Sequence, residues 1–395
     1  MSFFKKETYN PLMFLAALGP GGMSVVFFMY LMYIVPRDKK YPIPTFDTLK
    51  EVCLSADTSI MMKATIVFGV VWIIYFGFKH LQLLIKNLKM LKKFKGTKEC
   101  KALKSGNSEV TFMAIPLTLA MTINVLFIIW AIFVPKLWTI VEYLFPGALV
   151  WFALVGLLAL KLFSEYFIRL IMQKWNTDFV ENNNLGQLIS AFAFVMVGVW
   201  FAASSAMSTN IITSTIGLVA STFFITLAWI VSLLKIIVWF KAILKNGLEE
   251  SASPTLWIMI PILTLIGITV VRNMHGLHTH FDSHFSAGTY IMFTTVIVSM
   301  QMMFGYIGYV VMKKNGYFDD YVNWNKKSPW SFALICPWVA LAVFAFFFLH
   351  LGLVKTWVVE KFSITYFVLL APIMYLQYKT IATMLKLNKK FGLVK

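Results

Sequence analysis

Charged residues are scarce in this sequence, and their scarcity limits the classes of protein that it can encode. Only 13% of the 395 residues are Asp, Glu, Lys or Arg, whereas 59% are hydrophobic, and the mean hydropathy is +0.76. A soluble globule of this length needs a much larger charged surface. In a bilayer the outer surface faces hydrocarbon, so the shortage carries no penalty there. The composition therefore predicts an integral membrane protein.

Acidic residues are the rarer charged class, with 17 Asp and Glu against 35 Lys and Arg and a formal net charge of +18. No nucleic-acid motif accompanies this excess, and the lysines lie mostly between apolar segments. We therefore expect membrane lipid and no nucleic acid as a partner. The basic residues concentrate on the side of the N-terminus, above all between Lys86 and Lys95. The positive-inside tendency then predicts a multi-pass protein of the cell (inner) membrane with both termini cytoplasmic.

Cysteines and catalytic motifs are also few. The three cysteines, Cys53, Cys100 and Cys336, are predicted to lie outside, inside and within the membrane, so no disulfide framework follows. The sequence has no P-loop, no glycine-rich dinucleotide turn and no GxSxG motif. The longest hydrophilic stretches, 36–58 and 87–109, are too short for an ATPase domain. These absences indicate that the chain is not an enzyme and does not drive primary active transport.

Long apolar runs are what the sequence has in abundance, and they lack the alternation of membrane β-strands. They predict an all-α polytopic membrane protein with a single transmembrane domain over residues 1–395. We place ten helices near residues 11–35, 59–86, 110–134, 145–171, 185–208, 211–243, 254–273, 285–312, 329–351 and 363–386.

A repeated pattern marks the odd-numbered helices. Three of them open with serine and carry proline eight or nine residues later, in the stretches Ser108–Pro116, Ser253–Pro261 and Ser328–Pro337. The first helix has Gly19-Pro20-Gly21-Gly22, and the fifth has Gly198. Proline removes a backbone hydrogen bond and kinks a helix, which membranes tolerate beside protein or a water-filled path. The breaks predict either five helices around a shared axis or five separate packing kinks.

Two short motifs carry a resemblance to a known family. They are Leu18-Gly-Pro-Gly-Gly-Met-Ser24 in the first helix and Trp330-Ser-Phe-Ala-Leu-Ile-Cys-Pro337 in the ninth. With ten helices in five hairpins, the chain resembles the tellurite-resistance/dicarboxylate transporter family, which includes bacterial TehA and the slow-type anion channels of plants. It also looks like the divergent TsoY-type (seleno)protein branch.

The resemblance implies a pseudo-fivefold arrangement of five helical hairpins around a central pore, often in a homotrimer. The odd helices would line an anion pore and the even helices would face lipid. In the family's channels an aromatic side chain beside the proline of helix nine blocks the pore. Cys336 holds that position here, and Phe332 lies one turn earlier. The candidate pore and gate residues are Cys336, Phe332, Pro337, Pro116, Pro261, Gly19, Gly22, Phe192, Phe194, Gly198 and Arg272.

Imidazoles cluster after helix seven, in a segment that we expect to form the outer loop to helix eight. It holds His275, His278, His280, His284 and Asp282, which are ligand types for a transition metal. Their spacing matches no standard metal signature. The segment is therefore either a metal site, a pH-sensitive group of histidines, or a solvated loop that needs no cofactor.

Other charges near the membrane have two readings each. Arg272 is either a cation that concentrates anions at a pore mouth or an interfacial anchor. Lys161, Glu165 and Arg169 are spaced four residues apart and so lie on one face of helix four. They form either a row of paired charges at the membrane interface or a proton relay through Glu165. Cys336 is either a packed thiol or a pore-lining one.

These patterns predict an anion channel or secondary transporter for a sulfur, selenium or tellurium oxyanion, a carboxylate or a halide. An alternative is a membrane-embedded redox or metal-handling protein that uses Cys336 and the outer histidines. A third is a non-transporting subunit of a larger complex.

Overall fold

A computed structural model describes residues 9–38, 41–172 and 183–393. Within these ranges the regular structure is helical throughout, and ten helices are long and apolar enough to cross a membrane. The chain is a multi-pass membrane protein. Helices one to ten span Pro11–Ile34, Ile60–Phe94, Asn107–Phe133, Leu137–Met172, Gly186–Met207, Ile211–Asn246, Glu250–His280, Ala287–Lys314, Pro329–Val354 and Ile364–Lys390.

Several helices are longer than the apolar runs that predicted them. Helix two continues through the basic run to Phe94, and helix four begins at Leu137 instead of near 145, so that Pro146 lies inside it. Helix seven continues to His280, seven residues beyond its predicted end. Hydropathy locates the part of a helix that lies in hydrocarbon, whereas backbone hydrogen bonds continue into the polar flanks until a residue breaks them.

Two short α-helices and one short π-helix, Phe318–Asn323, lie between the long ones. Phe46–Leu54 follows helix one and contains Cys53, and Lys98–Ser105 follows helix two and contains Cys100. All three cysteines are free. The second short helix is capped by Thr97, whose side chain accepts a hydrogen bond from the Cys100 amide at 3.1 Å.

The odd and even helices differ sharply in burial. In the most apolar stretch of each odd helix, between 67% and 100% of the residues are buried inside the protein, against 28% to 33% in the even helices. Each odd helix contacts the next one, and helix nine contacts helix one, so the five form a closed inner ring. Each even helix packs against the odd helix that precedes it. The even helices therefore carry most of the exposed apolar surface of the described spans.

Every odd helix begins with a 3₁₀ segment before its α-helical part. We call these five segments the collar. They are Pro11–Phe14, Asn107–Met113, Gly186–Leu188, Glu250–Trp257 and Pro329–Leu334. Hydrogen bonds connect these segments and the residues that precede them. The Leu185 amide donates to Thr255 Oγ1 at 3.0 Å, and Ser328 Oγ donates to the Ser251 carbonyl at 2.9 Å. The collar closes one end of the inner ring.

The repeated prolines lie where the 3₁₀ segments end. Pro116, Pro261 and Pro337 are each the third residue of an α-helical part, which begins at Ala114, Met259 and Ile335. The first turn of an α-helix leaves its amides without intrahelical partners, so a proline there costs no hydrogen bond. These prolines therefore start the α-helical parts of their helices rather than interrupt them.

Candidate functional site

A cavity of about 820 Å³ lies inside the inner ring. All five odd helices line it, together with the chain that follows helices one and nine. Its deepest residues include Gly19, Phe192, Pro261 and Cys336, and no collar residue lines it. From Cys336 to His350 the cavity follows helix nine for fourteen residues, about 21 Å at 1.5 Å per residue. It is therefore closed at the collar and deep enough to reach the middle of a membrane.

Six of the eleven pore and gate candidates line this cavity: Gly19, Gly22, Phe192, Pro261, Arg272 and Cys336. The two glycines also let helix one approach helix nine. A Cβ on Gly19 would lie 2.9 Å from Ile335, and one on Gly22 would lie 2.7 Å from Val339. Cys336 is 8% exposed and lines the cavity among mainly apolar residues.

The other five candidates, Pro116, Pro337, Phe194, Gly198 and Phe332, are not among the cavity-lining residues. Phe194 packs against Phe163 of helix four at 5.2 Å between ring centroids, and Gly198 faces helix six. Phe332 packs against Phe391 beyond helix ten, 4.9 Å away, so it points out of the ring.

The open end of the cavity carries a concentration of positive charge, and we call it the mouth. Three cationic side chains line the mouth, Arg37, Lys355 and Lys361, and Asp38 is the one carboxylate among the cavity-lining residues that the structure describes. Burial lowers the pKa of Lys361, and the neighbouring Arg37 lowers that pKa further. Burial also lowers the pKa of Lys355. Positive charges at the mouth are therefore partly removed from water, and Arg37 and Lys361 lie close enough to repel each other.

Arg37 organises the loop that forms one side of the mouth. Its guanidinium donates to the backbone carbonyls of Met32, Tyr41 and Pro42, with distances of 3.1 Å to Tyr41 and 3.3 Å to Pro42. These carbonyls satisfy its donors without neutralising its charge. Arg37 therefore fixes the loop and leaves a net positive charge at the mouth.

Arg272 lies deeper, on the last turns of helix seven. One of its terminal amino groups donates to the Val199 carbonyl of helix five at 2.7 Å, and its guanidinium lies 5.3 Å from the centre of the Trp200 ring. Among the described residues no carboxylate lies within ion-pair distance of it. The indole N–H of Trp200 is buried and has no hydrogen-bond partner in the same part of the chain. A cation without a carboxylate partner among the described residues thus lies on the cavity wall, beside a Trp200 ring whose N–H is enclosed by protein.

Helix nine changes to a π-helix at the mouth, over Phe348–Val354. Such wide turns are common at functional sites. His350 Nδ1 lies 2.9 Å from the Phe346 carbonyl, which only accepts, so Nδ1 donates and Nε2 accepts from the Tyr366 hydroxyl at 3.1 Å. Its ring also stacks on Tyr33 at 4.1 Å. His350 therefore holds helices nine, ten and one together at the mouth.

The deep half of the cavity is mainly apolar. Its polar side chains are Asn124, Thr264 and Cys336. The Thr264 hydroxyl donates to the Ala340 carbonyl at 3.0 Å and accepts from Gln301 at 2.6 Å. The Asn124 amide faces the Met121 sulfur at 3.7 Å. Few free donors therefore remain at this depth.

One aromatic residue crosses the collar. A Cβ on Gly186, at the start of helix five, would lie 2.5 Å from the indole of Trp330, at the start of helix nine. Helices five and nine are not neighbours in the inner ring, so the indole reaches across its closed end. Trp330 belongs to the motif that carries the family resemblance, but nothing in its spacing distinguishes it from a packed aromatic residue.

The histidine segment is not a free loop, because helix seven includes His275, His278 and His280. His280 Nε2 lies 2.9 Å from the Ser208 carbonyl, and the rings of His278 and His284 are 5.3 Å apart. In the ranges that the structure describes, no three His, Cys, Asp or Glu side chains are grouped so as to hold a metal ion. The structure does not bring Asp282 and the histidines together as a metal site.

The stripe on helix four divides between two environments. Lys161 and Glu165 lie 4.0 Å apart, and their side chains are 72% and 48% exposed. Arg169 pairs with Glu109 of helix three at 2.8 Å. None of the three lines the cavity. The stripe is a paired outer face joined to helix three, and Glu165 lies outside any path through the ring.

Comparison of the chain with family models, curated proteins and solved structures finds no match.

Proposed function

We propose that this protein is a channel or secondary transporter that moves a small anion through the cavity inside its inner ring. Arg272 is the observation that carries the proposal. It is a cation on the cavity wall with no carboxylate within ion-pair distance among the described residues. A charge at membrane depth is costly without a partner. An anion that enters the cavity supplies the missing counter-charge.

The mouth adds a second argument. Arg37, Lys355 and Lys361 raise the local concentration of anions, because clefts lined by one sign of charge focus the electric field into the cleft. The cationic mouth and the partly desolvated Arg272 lie along one route. An anion would first meet the mouth and then reach Arg272.

We further propose that the ten helices form five hairpins with pseudo-fivefold symmetry, as in the family that the sequence resembles. Support comes from the closed contacts among odd helices and from the packing of each even helix on its predecessor. With the N-terminus cytoplasmic, the mouth faces outward and the collar faces the cytoplasm. Passage then requires the collar to open. The homotrimer stays a prediction.

The experiment is a flux assay in liposomes that contain the purified protein. Radiolabelled sulfite, selenite, malate and chloride are supplied outside, and uptake is compared with that of empty liposomes. Arg272→Gln is expected to lower uptake at least about tenfold, since it removes a desolvated charge that pairs with the anion. Lys161→Gln is the matched control, because it removes one positive charge from the outer face. Equal uptake by wild type and Arg272→Gln, or no uptake of any anion, would refute the proposal.

A further inference from the structure

The cavity combines positive charge with a large apolar wall, and a small inorganic anion needs only the first of these. Positive charge is confined to the mouth and to Arg272, and below Arg272 the wall is made mainly of Val, Leu, Ile, Met and Phe side chains. A fully hydrated oxyanion such as sulfite requires hydrogen-bond donors around its whole surface to replace its water. The deep half offers Asn124 and the thiol of Cys336, because the hydroxyl proton of Thr264 is already donated to Ala340.

The head of the site has a donor set suited to one carboxylate. Arg272 has five N–H groups, of which one amino group is bound to the Val199 carbonyl. The guanidinium lies 5.3 Å from the centre of the Trp200 ring, and that side chain is 6% exposed, so a buried aromatic ring packs beside the cation. The remaining N–H groups of the planar guanidinium match the two oxygens of a carboxylate.

From this geometry we infer that the cavity binds an aliphatic monocarboxylate, with its carboxylate at Arg272 and its hydrocarbon tail against the apolar wall towards Phe192. This inference deepens the proposed function and rests on it for the direction of passage. The cavity volume of about 820 Å³ lies within the range of sites that enclose small organic ligands, about 300 to 1,000 Å³. The positive mouth complements the charge of such a ligand.

The tail should contribute to affinity in proportion to its length. Each methylene removed from water adds about 0.8 kcal/mol, which is about fourfold in the dissociation constant. The carboxylate should contribute a constant factor to the affinity through Arg272. The two contributions are therefore separable by varying the tail and the head independently.

The test measures saturable binding by equilibrium dialysis to the full-length protein in lipid nanodiscs, with binding to empty nanodiscs subtracted. The ligands are butanoate, hexanoate and octanoate, with octanol as the uncharged analogue and sulfite as the compact anion. The expected result is a gain of about fourfold per methylene, and weaker binding of both octanol and sulfite than of octanoate. Equal dissociation constants along the series, or tighter binding of sulfite than of octanoate, would overturn the inference.

Two variants separate the head from the tail. Arg272→Gln removes the charge that pairs with the carboxylate, so it should weaken the binding of every carboxylate by about tenfold and leave the gain per methylene unchanged. Val25→Phe adds bulk to the cavity wall in helix one and should abolish the gain for the longer acids while butanoate still binds. Retention of wild-type affinities by both variants would place the ligand elsewhere and refute the site.

The outcomes also separate this inference from the proposed function. If sulfite or chloride is taken up but the dissociation constants do not change with the length of the fatty acid, the protein is an anion transporter and the inference of an aliphatic ligand is wrong. If affinity rises with the length of the fatty acid but no carboxylate is taken up, the binding site is supported and the proposed transport is wrong.

Discussion

Removal of the Trp330 indole is expected to open the closed end of the inner ring. The indole lies across the collar against Gly186, which belongs to a helix that is not its neighbour. An opened collar has to withdraw that ring from its contact. A tryptophan buries about 150 Å² or more, worth about 4 kcal/mol at 25 cal/mol per Å². If the open collar still covers half of the ring, Trp330→Ala lowers the stability of the closed state by about 2 kcal/mol, which multiplies the open population about thirtyfold.

The assay is passive anion efflux from preloaded liposomes, normalised to the amount of folded protein. Trp330→Ala is expected to raise the initial rate by about thirtyfold. Trp324→Ala is the matched control, because Trp324 is 68% exposed in the segment that precedes helix nine. Gly186→Ala tests the same contact from the other side, since its methyl group would displace the indole. An efflux rate for Trp330→Ala equal to that of wild type would refute the idea that this ring closes the path.

Three further predictions follow from other parts of the structure. Burial and the neighbouring Arg37 lower the pKa of Lys361, so its charged form is lost as the pH rises through that lowered pKa. Anion uptake measured against pH should therefore fall at a pH below the ordinary lysine pKa of about 10.4. In Lys361→Arg this fall should move to higher pH, because arginine stays charged. Gly267→Ala should destabilise the protein by about 1 to 3 kcal/mol, seen as a lower thermal unfolding midpoint, because its methyl group would lie 2.4 Å from the Phe344 ring. Glu165→Gln should leave the pH dependence of uptake unchanged, which argues against a proton relay at this exposed residue.

Matched controls keep these outcomes interpretable. Gly147→Ala is the control for the stability prediction, since a Cβ there meets no atom within 4 Å. An unfolding midpoint equally lowered in both variants would mean that the effect does not come from the contact with Phe344. A pH profile identical in Lys361→Arg and wild type would remove Lys361 from the anion path. Loss of pH dependence in Glu165→Gln would restore the relay.

The ten helices were predictable because hydrocarbon demands long runs of apolar residues with their backbone hydrogen bonds made internally. Their inner or outer position was not readable from apolar content, since lipid is as apolar as a protein core. Burial separates the two sets, but overall hydropathy does not. The proline and serine pattern of helices three, seven and nine did mark inner helices. It did so because the serine lies at the 3₁₀ segment that begins each of these helices, and the proline lies where that segment gives way to the α-helix.

The candidate site was predictable only where residues lie on the odd helices. Arg272 and Cys336 were singled out as a charge and a thiol near the membrane, and both line the cavity. Arg37, Lys355 and Lys361 were missed, because they follow helices one and nine in polar segments, where the sequence does not distinguish a side chain that turns into a cavity from one that faces water. Their one sequence signal is position: all three lie close after the far ends of inner helices.

The two ends of the inner ring differ in the kind of hydrogen bonding that holds them. At the mouth, Arg37 donates to three backbone carbonyls of its loop and helix one, and His350 of helix nine accepts a hydrogen bond from Tyr366 of helix ten. At the collar, every inner helix begins with 3₁₀ turns, whose hydrogen-bond geometry is poorer than that of an α-helix. Segments that move in function come from the less stable parts of a structure. Opening is therefore expected at the collar, by rewinding or tilting of the 3₁₀ segments, while the mouth keeps its shape.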